Sequence, residues 1–487
     1  MSTPRRSLSN VPPMNMPPTS LQTIGSLPDK TFMQIFSYLD HKQVLKCAEV
    51  AKRWRSIAYD PRLWQMVSLR SAYGGLQVIN QEAFLALIGS RFGTSLRLIE
   101  LQTDLITPIV IQELATKCSY LQHFTLDFST AMQLHDFADL QSFPARLKSL
   151  TICLSENIFL EGFMRKIYTF INSLEILHLI GTYEKIQDEE EEVYETVAIQ
   201  KLKSYTPNLR VVNFWGVLFI TDEHVESLSS NTAHLECLSV CFCMKFVALN
   251  NQAMKNVEWD KCQLQELNIA ATDLTADTLI FMLTRLPFLR TLCAGYSENF
   301  NDQVMEAWIN SNACSNLTAL DLDTCDSLSE PILTDFLNRF GFQMIGLGLG
   351  GHHKLVEHFW LTNLPILSHI KILVMGIAED CCSKVTAKVH IDQFIDCIAQ
   401  NCPQLERLEI RWDQSTLRFS DKSTKFIDSL RLKCTKMRSI VLTDGQYFEM
   451  IKSNFERADR MSIVRSNTNY QTNMILLSPY YKALLFN

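Results

Sequence analysis

Apolar residues in the spacing apolar-x-x-apolar-x-apolar return thirteen times along the chain, with first members at Leu96, Leu121, Leu147, Leu174, Leu209, Leu235, Leu264, Leu289, Leu317, Met344, Ile370, Leu405 and Met437. The mean interval is about 28 residues, enough for one strand, one turn and one helix. The anchors define the frame, so the test of it lies in the position they leave free. Between the last two anchors stand Glu100, Thr125, Thr151, His178, Asn213, Ser239, Asn268, Cys293, Asp321, Gly348, Val374, Glu409 and Val441. Ten of the thirteen are polar or glycine in a chain that is 47% hydrophobic. This period-2 alternation predicts a half-buried strand in every repeat. Helix-compatible sequence follows, as at 302–310 and 391–400, so the unit is strand then helix and the units stack into a solenoid.

The array extends beyond the thirteen. Trp64, Val67 and Leu69 predict an earlier strand with its helix at 81–92, and Ala458, Met461 and Ile463 a short last one. Behind it, Leu476, Leu477, Tyr480, Tyr481, Leu484, Leu485 and Phe486 are too apolar for a free tail, which predicts a cap on the open end or a fold-back along the concave face. The two longest intervals, 174–209 and 370–405, predict loops on one face; the first carries the acidic run 188–192, a solvated loop or a docking site for a basic partner.

A different pattern precedes the array. Phe32, Ile35, Phe36 and Leu39 form one helical stripe, Val44, Leu45, Ala48 and Ala51 a second, and Trp54, Ile57 and Ala58 a third. Pro28 and Asp29 suit the first turn of the first helix. Three helices of about ten residues each cannot enclose all this apolar surface, so part of it faces a partner.

The spacing of Leu27-Pro28, of Ile35-Phe36-x-x-Leu39, of Trp54 and of Leu63-Trp64 resembles an F-box over its whole length. The repeats resemble the cysteine-containing leucine-rich type: Cys243 and Cys325 lie eight residues after their first anchor, and Cys118, Cys314, Cys402 and Cys434 three before one. Such phases imply packing groups rather than catalytic or metal-binding thiols. The combination resembles the F-box leucine-rich substrate receptors. That resemblance implies an α/β architecture in which a three-helix F-box precedes a curved parallel sheet with helices outside. It divides the chain into a disordered tail (1–25), the F-box (26–70), the solenoid (71–465) and a capping or fold-back tail (466–487).

By the same resemblance, the F-box docks on a Skp-type adaptor and through it on cullin and RING subunits. Leu27, Pro28, Ile35, Phe36, Leu39, Val50, Trp54, Leu63 and Trp64 are the adaptor-facing positions. The repeats would present a protein substrate for ubiquitylation and degradation, leaving the chemistry to partners. A scaffold that binds adaptor or target without promoting ubiquitylation has the same sequence features.

Composition narrows the rest. A net charge of −7 argues against sequence-independent nucleic-acid binding. The apolar runs are too short to cross a bilayer. Fifteen cysteines without a secretory segment point to a reducing compartment, cytoplasmic, nuclear or both. The glycines at 346, 348, 350 and 351 lack the Lys-Ser/Thr of a phosphate loop, and His352, His353, His358, Cys381 and Cys382 lack paired metal-ligand spacing. No cofactor, metal or catalytic constellation is expected. For the target, the outward positions Asp321 and Asp323, the bare backbone of Gly346, Gly348 and Gly350, and the gripping side chains Arg407, Glu409, Arg411 and Trp412 mark the C-terminal half of the concave sheet.

Overall fold

In the computed structural model, the described residues are 24–78, 80–131, 136–155, 161–181, 202–217, 220–229, 234–243, 252–377, 388–456 and 463–466. The N-terminal tail, the acidic run, Cys381, Cys382 and the apolar C-terminal tail lie outside them.

Helices α1 (Asp29–Phe36), α2 (His41–Val50) and α3 (Lys52–Ala58) open the fold. Pro28 is the N-cap of α1 rather than its first residue, and Asp40 caps α2 in a reciprocal capping box with Gln43. Phe32, Phe36 and Trp54 form the small core, with ring centroids 5.0 to 5.9 Å apart. Arg53 closes the front by reaching Asp29 and the carbonyls of Gly25 and Leu27.

Fifteen parallel strands then form one sheet in chain order. They are β1 (Met66–Ser68), β2 (Leu98–Gln102), β3 (His123–Asp127), β4 (Ser149–Cys153), β5 (Ile176–Ile180), β6 (Val211–Asn213), β7 (Cys237–Ser239), β8 (Glu266–Asn268), β9 (Thr291–Cys293), β10 (Ala319–Asp321), β11 (Gly346–Gly348), β12 (Ile372–Met375), β14 (Arg407–Ile410), β16 (Ser439–Leu442) and β17 (Ile463–Ser466). Thirteen of them begin two residues after an anchor, and the remaining two are the outlying strands at either end. The test positions face one another in a single ladder from Glu100 to Val441. That continuity explains the mean period: each repeat adds one strand in unbroken register.

The anchors are buried between the sheet and the outer helices, where Trp259, Trp308 and Trp360 are the largest side chains fully enclosed. Two short strands, β13 (Val389–His390) and β15 (Leu417–Arg418), pair separately and are not signalled by the repeat. They precede helices Ile391–Asn401 and Ser423–Lys433, so the last long repeats carry a second parallel contact on the way to the outer layer.

The two phase-locked groups of cysteines do what packing groups do. Cys243 Sγ donates to the Phe214 carbonyl at 2.9 Å and Cys325 Sγ to that of Ala294 at 3.2 Å, each stitching a turn to the preceding repeat. Cys118, Cys314, Cys402 and Cys434 are buried, and Cys434 Sγ donates to the Cys402 carbonyl at 3.3 Å.

Candidate adaptor and target surfaces

The N-terminal helices leave apolar side chains in solvent. Ile35 is 37%, Val50 65% and Tyr38 81% exposed, while Leu27, Leu39, Trp54 and Leu63 are half-buried and Pro28 is exposed. Large apolar side chains left this open on a domain this small are available to a partner. Tyr38 was not among the positions implied by the F-box spacing; its place three residues after Ile35, in the turn that ends α1, could have marked it.

Phe36 and Trp64 depart from the expected adaptor-facing set. Phe36 is turned into the three-ring core. Trp64 is buried too: its ring stacks on His41 at 4.8 Å, its Nε1 donates to the Ala58 carbonyl at 2.8 Å, and Phe92 of the first repeat lies 6.5 Å away. His41 Nε2 also lies 3.0 Å from the Leu63 carbonyl. Trp64 is therefore the joint between the helices and the sheet, and β1 follows it after one residue. With no spacer between them, the exposed patch is held at a fixed attitude to the solenoid.

The C-terminal half of the concave face differs more from the sequence reading. Asp321, Asp323, Arg407, Glu409 and Arg411 do share that face, but Asp323, Arg407, Glu409 and Arg411 form an ion-pair network beside Asp321 rather than an open surface. Arg411 joins Asp323 at 2.5 Å and Glu409 at 2.8 Å, and Arg407 takes the other Glu409 oxygen at 3.0 Å. Asp321, Asp323, Glu409 and Arg411 are buried.

The glycines are not bare backbone awaiting a partner. A Cβ on Gly348 would stand 2.5 Å from Asp321 Oδ1, and one on Gly350 2.6 Å from Arg411 Nη1, so these positions make room for the chain's own charges. Gly346 is buried as well. Trp412 points the opposite way, into the hydrophobic core, where it stacks on Phe394 at 5.3 Å.

Electrostatics follow from this crowding. Burial, then the neighbouring Asp323, pushes the Asp321 carboxyl up to about 7. Arg411 is held more firmly protonated than an ordinary guanidinium by Asp323 and Glu409, which outweigh its burial. A smaller version stands at the other end of the array, where Arg70 crosses from β1 to Asp127 at 2.6 Å with its guanidinium over Tyr73.

Residues 24–70 match the F-box-like family model. Among solved structures, the chain is similar to one in the crystal structure of the yeast Rad7 and Elc1 complex, at 14% identity, a TM-score of 0.39, and coverage of 81% of this chain and 90% of that one. It is also similar to the leucine-rich repeat-containing protein LegL7 from Legionella pneumophila, at 15% identity, a TM-score of 0.37, and coverage of 63% and 98%. The protein thus has an F-box-like domain at its N-terminus and a leucine-rich-repeat-type solenoid behind it. Among the described residues no helix is long and apolar enough to cross a membrane.

Proposed function

We propose that this chain is the substrate-recognition subunit of an SCF-type ubiquitin ligase. The F-box-like helices bind a Skp-type adaptor, and through it the cullin and RING subunits, while the solenoid binds a protein target. The observation that supports this reading is the coincidence of the family match at 24–70 with the exposed apolar side chains of Ile35, Tyr38 and Val50 in the same segment.

The chain's own contribution is geometry. An adaptor fixed at α1–α3 and a target fixed on the sheet are separated by a direct junction at Trp64 rather than a flexible linker. Target lysines then sit at high effective concentration near the charged conjugating enzyme, and orientation replaces part of the bimolecular entropy cost. The chain acts here as a non-catalytic adaptor, working in the cytoplasm, the nucleus or both.

Reconstitution with adaptor, cullin, RING subunit and conjugating enzyme tests this. The intact chain should co-purify with adaptor and cullin and support ubiquitylation of proteins captured by the solenoid. A chain lacking residues 27–64 should capture the same proteins and modify none of them. Assembly with the adaptor but no ubiquitin transfer to any captured protein would make the chain a scaffold instead.

A further inference from the structure

Where the chain enters each strand, the residue after the first anchor lines one edge of the sheet, and its carbonyl accepts amides of the next repeat. Thr318 N–H donates to Arg290 at 2.8 Å, Ile345 to Thr318 at 2.6 Å and Lys371 to Ile345 at 2.7 Å. Successive edge residues therefore stand one strand spacing, about 4.8 Å, apart. Twelve of the thirteen edge residues are charged, glutamine or threonine; Ile345 is the exception. The position before the anchor is hydrophilic as well, except at Tyr120 and Phe288.

These exceptions gather in neighbouring repeats. Ile345 is 40%, Phe288 44% and Phe342 57% exposed, and the three leave roughly 300 Å² of apolar surface open at about 200 Å² per side chain. That is the size at which the largest patch on a protein is often functional. The loops that carry them are stitched together: Asn316 Nδ2 donates to the Pro287 carbonyl at 2.8 Å, Gln343 Nε2 to that of Leu317 at 2.7 Å, and His369 Nδ1 lies 3.0 Å from that of Phe342. Tyr120, at the far end of the same edge, is covered by the chain itself, with the Arg97 and Arg146 guanidiniums 4.6 and 5.4 Å from its ring centre. Among the described residues, Phe288 and Phe342 meet neither a cation nor another ring.

The charge around these side chains is left over in one direction. Lys371 pairs with Glu406 at 3.6 Å and Arg339 with Asp335 at 3.0 Å, so those cations are cancelled within the chain. Arg285 and Arg290 are both exposed, and among the described residues neither has a carboxylate within ion-pair distance. The Arg285 guanidinium lies 4.0 Å over the Phe281 ring and donates to the Phe281 carbonyl, which leaves its charge uncompensated. Earlier on the same edge Lys148, Glu175, Arg210 and Glu236 alternate in a chain of ion pairs. That alternation stops at the repeat where the apolar side chains come out.

We propose that the solenoid grips its target at this edge, from Phe288 to Ile345, and that the target presents a segment in which apolar side chains alternate with carboxylates. The apolar side chains cover Phe288, Phe342 and Ile345, and the carboxylates pair with Arg285 and Arg290 beside them. Burial supplies the affinity, and the two arginines turn away segments of their own sign. The stitched loops are ordered before the target arrives, so little freedom is lost in fixing them. This deepens the receptor reading and rests on it; it moves the contact from the ion-pair network of the concave face to the strand-entry edge.

The test uses the purified full-length chain and fluorescence anisotropy with labelled dodecapeptides of repeating Glu-Leu-Ser, Lys-Leu-Ser and Glu-Ser-Ser at about 0.15 M salt. The Glu-Leu-Ser peptide should bind at least about tenfold more tightly than either of the others. F288S with F342S and I345S should cost it at least about tenfold. R285Q with R290Q should cost about threefold or more, the scale of exposed ion pairs. The arginine pair is altered at exposed atoms and should keep the circular dichroism and melting temperature of the native chain, so its binding loss is read on a folded protein whatever the apolar variant does.

Equal binding of the Glu-Leu-Ser and Glu-Ser-Ser peptides, equal binding of the Glu-Leu-Ser and Lys-Leu-Ser peptides, or retained affinity in either variant would each overturn the proposal. The assay contains no adaptor and no ubiquitin component. Its failure therefore leaves the receptor reading standing, and failure of adaptor binding leaves the peptide result standing.

Discussion

Arg411 Nη1 lies 2.5 Å from Asp323 Oδ2, a contact between residues 88 apart in the chain and three strands apart in the sheet. A flat sheet would separate them by about 14 Å at the backbone, so the contact records both the reach of arginine and the inward curl of the solenoid. The path is open because Gly350 stands beneath it. Stability and curvature therefore meet in one guanidinium.

Arg411→Ala should destabilise the chain by about 3–5 kcal/mol, since it leaves Asp323 and Glu409 as buried charges without their shared partner. Gly350→Ala should act in the same direction, by pushing the guanidinium off its seat. Urea unfolding followed by circular dichroism checks both. A loss within about 0.5 kcal/mol for Arg411→Ala, the range of an ordinary surface change, would show that the network does not hold the curl.

The exposed and buried apolar residues of the N-terminal helices should separate cleanly by experiment. Ile35→Asp and Val50→Asp place charges on exposed carbons, so the melting temperature should hardly move while adaptor co-purification falls by at least about tenfold. Trp64→Ala should do the reverse, costing about 3–5 kcal/mol through loss of the joint. Trp54→Ala should affect both, because its ring is half-exposed and also supports Phe32 and Phe36. Undiminished adaptor binding by both aspartate variants would remove this surface from consideration.

The buried thiols give a third check. Cys118 and Cys402 are each pushed up to about 12 by burial, and Cys314 is raised by the same cause, so the reactive thiolate is scarce as well as inaccessible. In native protein at pH 7.5, iodoacetamide should modify the half-exposed Cys47 well before Cys118, Cys314, Cys402 and Cys434; peptide mass spectrometry after timed quenching reads the order. Equal rates for all five would mean that the outer layer opens freely.

Thirteen strands of the sheet were legible because their signal is local and repeated: an anchor two residues ahead and, in ten of them, a polar residue or glycine between the last two anchors. The last strand was expected from Ala458, Met461 and Ile463 but runs Ile463–Ser466, with Val464 rather than Ile463 opposite the anchor Ile440. The pair β13 and β15 was not legible, since two-residue strands leave no period. Nor were the left-handed turns at Phe242, Ala271, Tyr296 and Thr324, which have positive φ at the position that Gly216 and Gly351 fill in other repeats. The charged strip failed for a geometric reason. Alternation reports which face Asp321, Glu409 and Arg411 share, whereas their burial depends on curvature and on Gly348 and Gly350 seen from the neighbouring strand. Trp412 was misplaced by one residue of the same logic: beside Arg411 in sequence, it belongs to the opposite face.

Asp321 makes the stability of this strip depend on pH in the unusual direction. Its carboxyl titrates near 3.8 in an unfolded chain and is pushed up to about 7 in the folded one, by burial first and Asp323 second. Between those values the folded state holds the extra proton, so this group's contribution to stability is greatest below about pH 4 and declines as pH rises toward 7. Above that the penalty is fully present, with Asp321 ionised beside Asp323 and near Glu409, and Arg411 already committed to those two. Asp321→Asn removes the titrating group while keeping its shape and the acceptor for the Asp323 N–H, a 3.1 Å bond. The variant should melt at a higher temperature than the native chain at pH 8, and the gap should close as the pH is lowered to 5. A gap independent of pH would mean that Asp321 remains ionised throughout, with a cation at hand to hold it so.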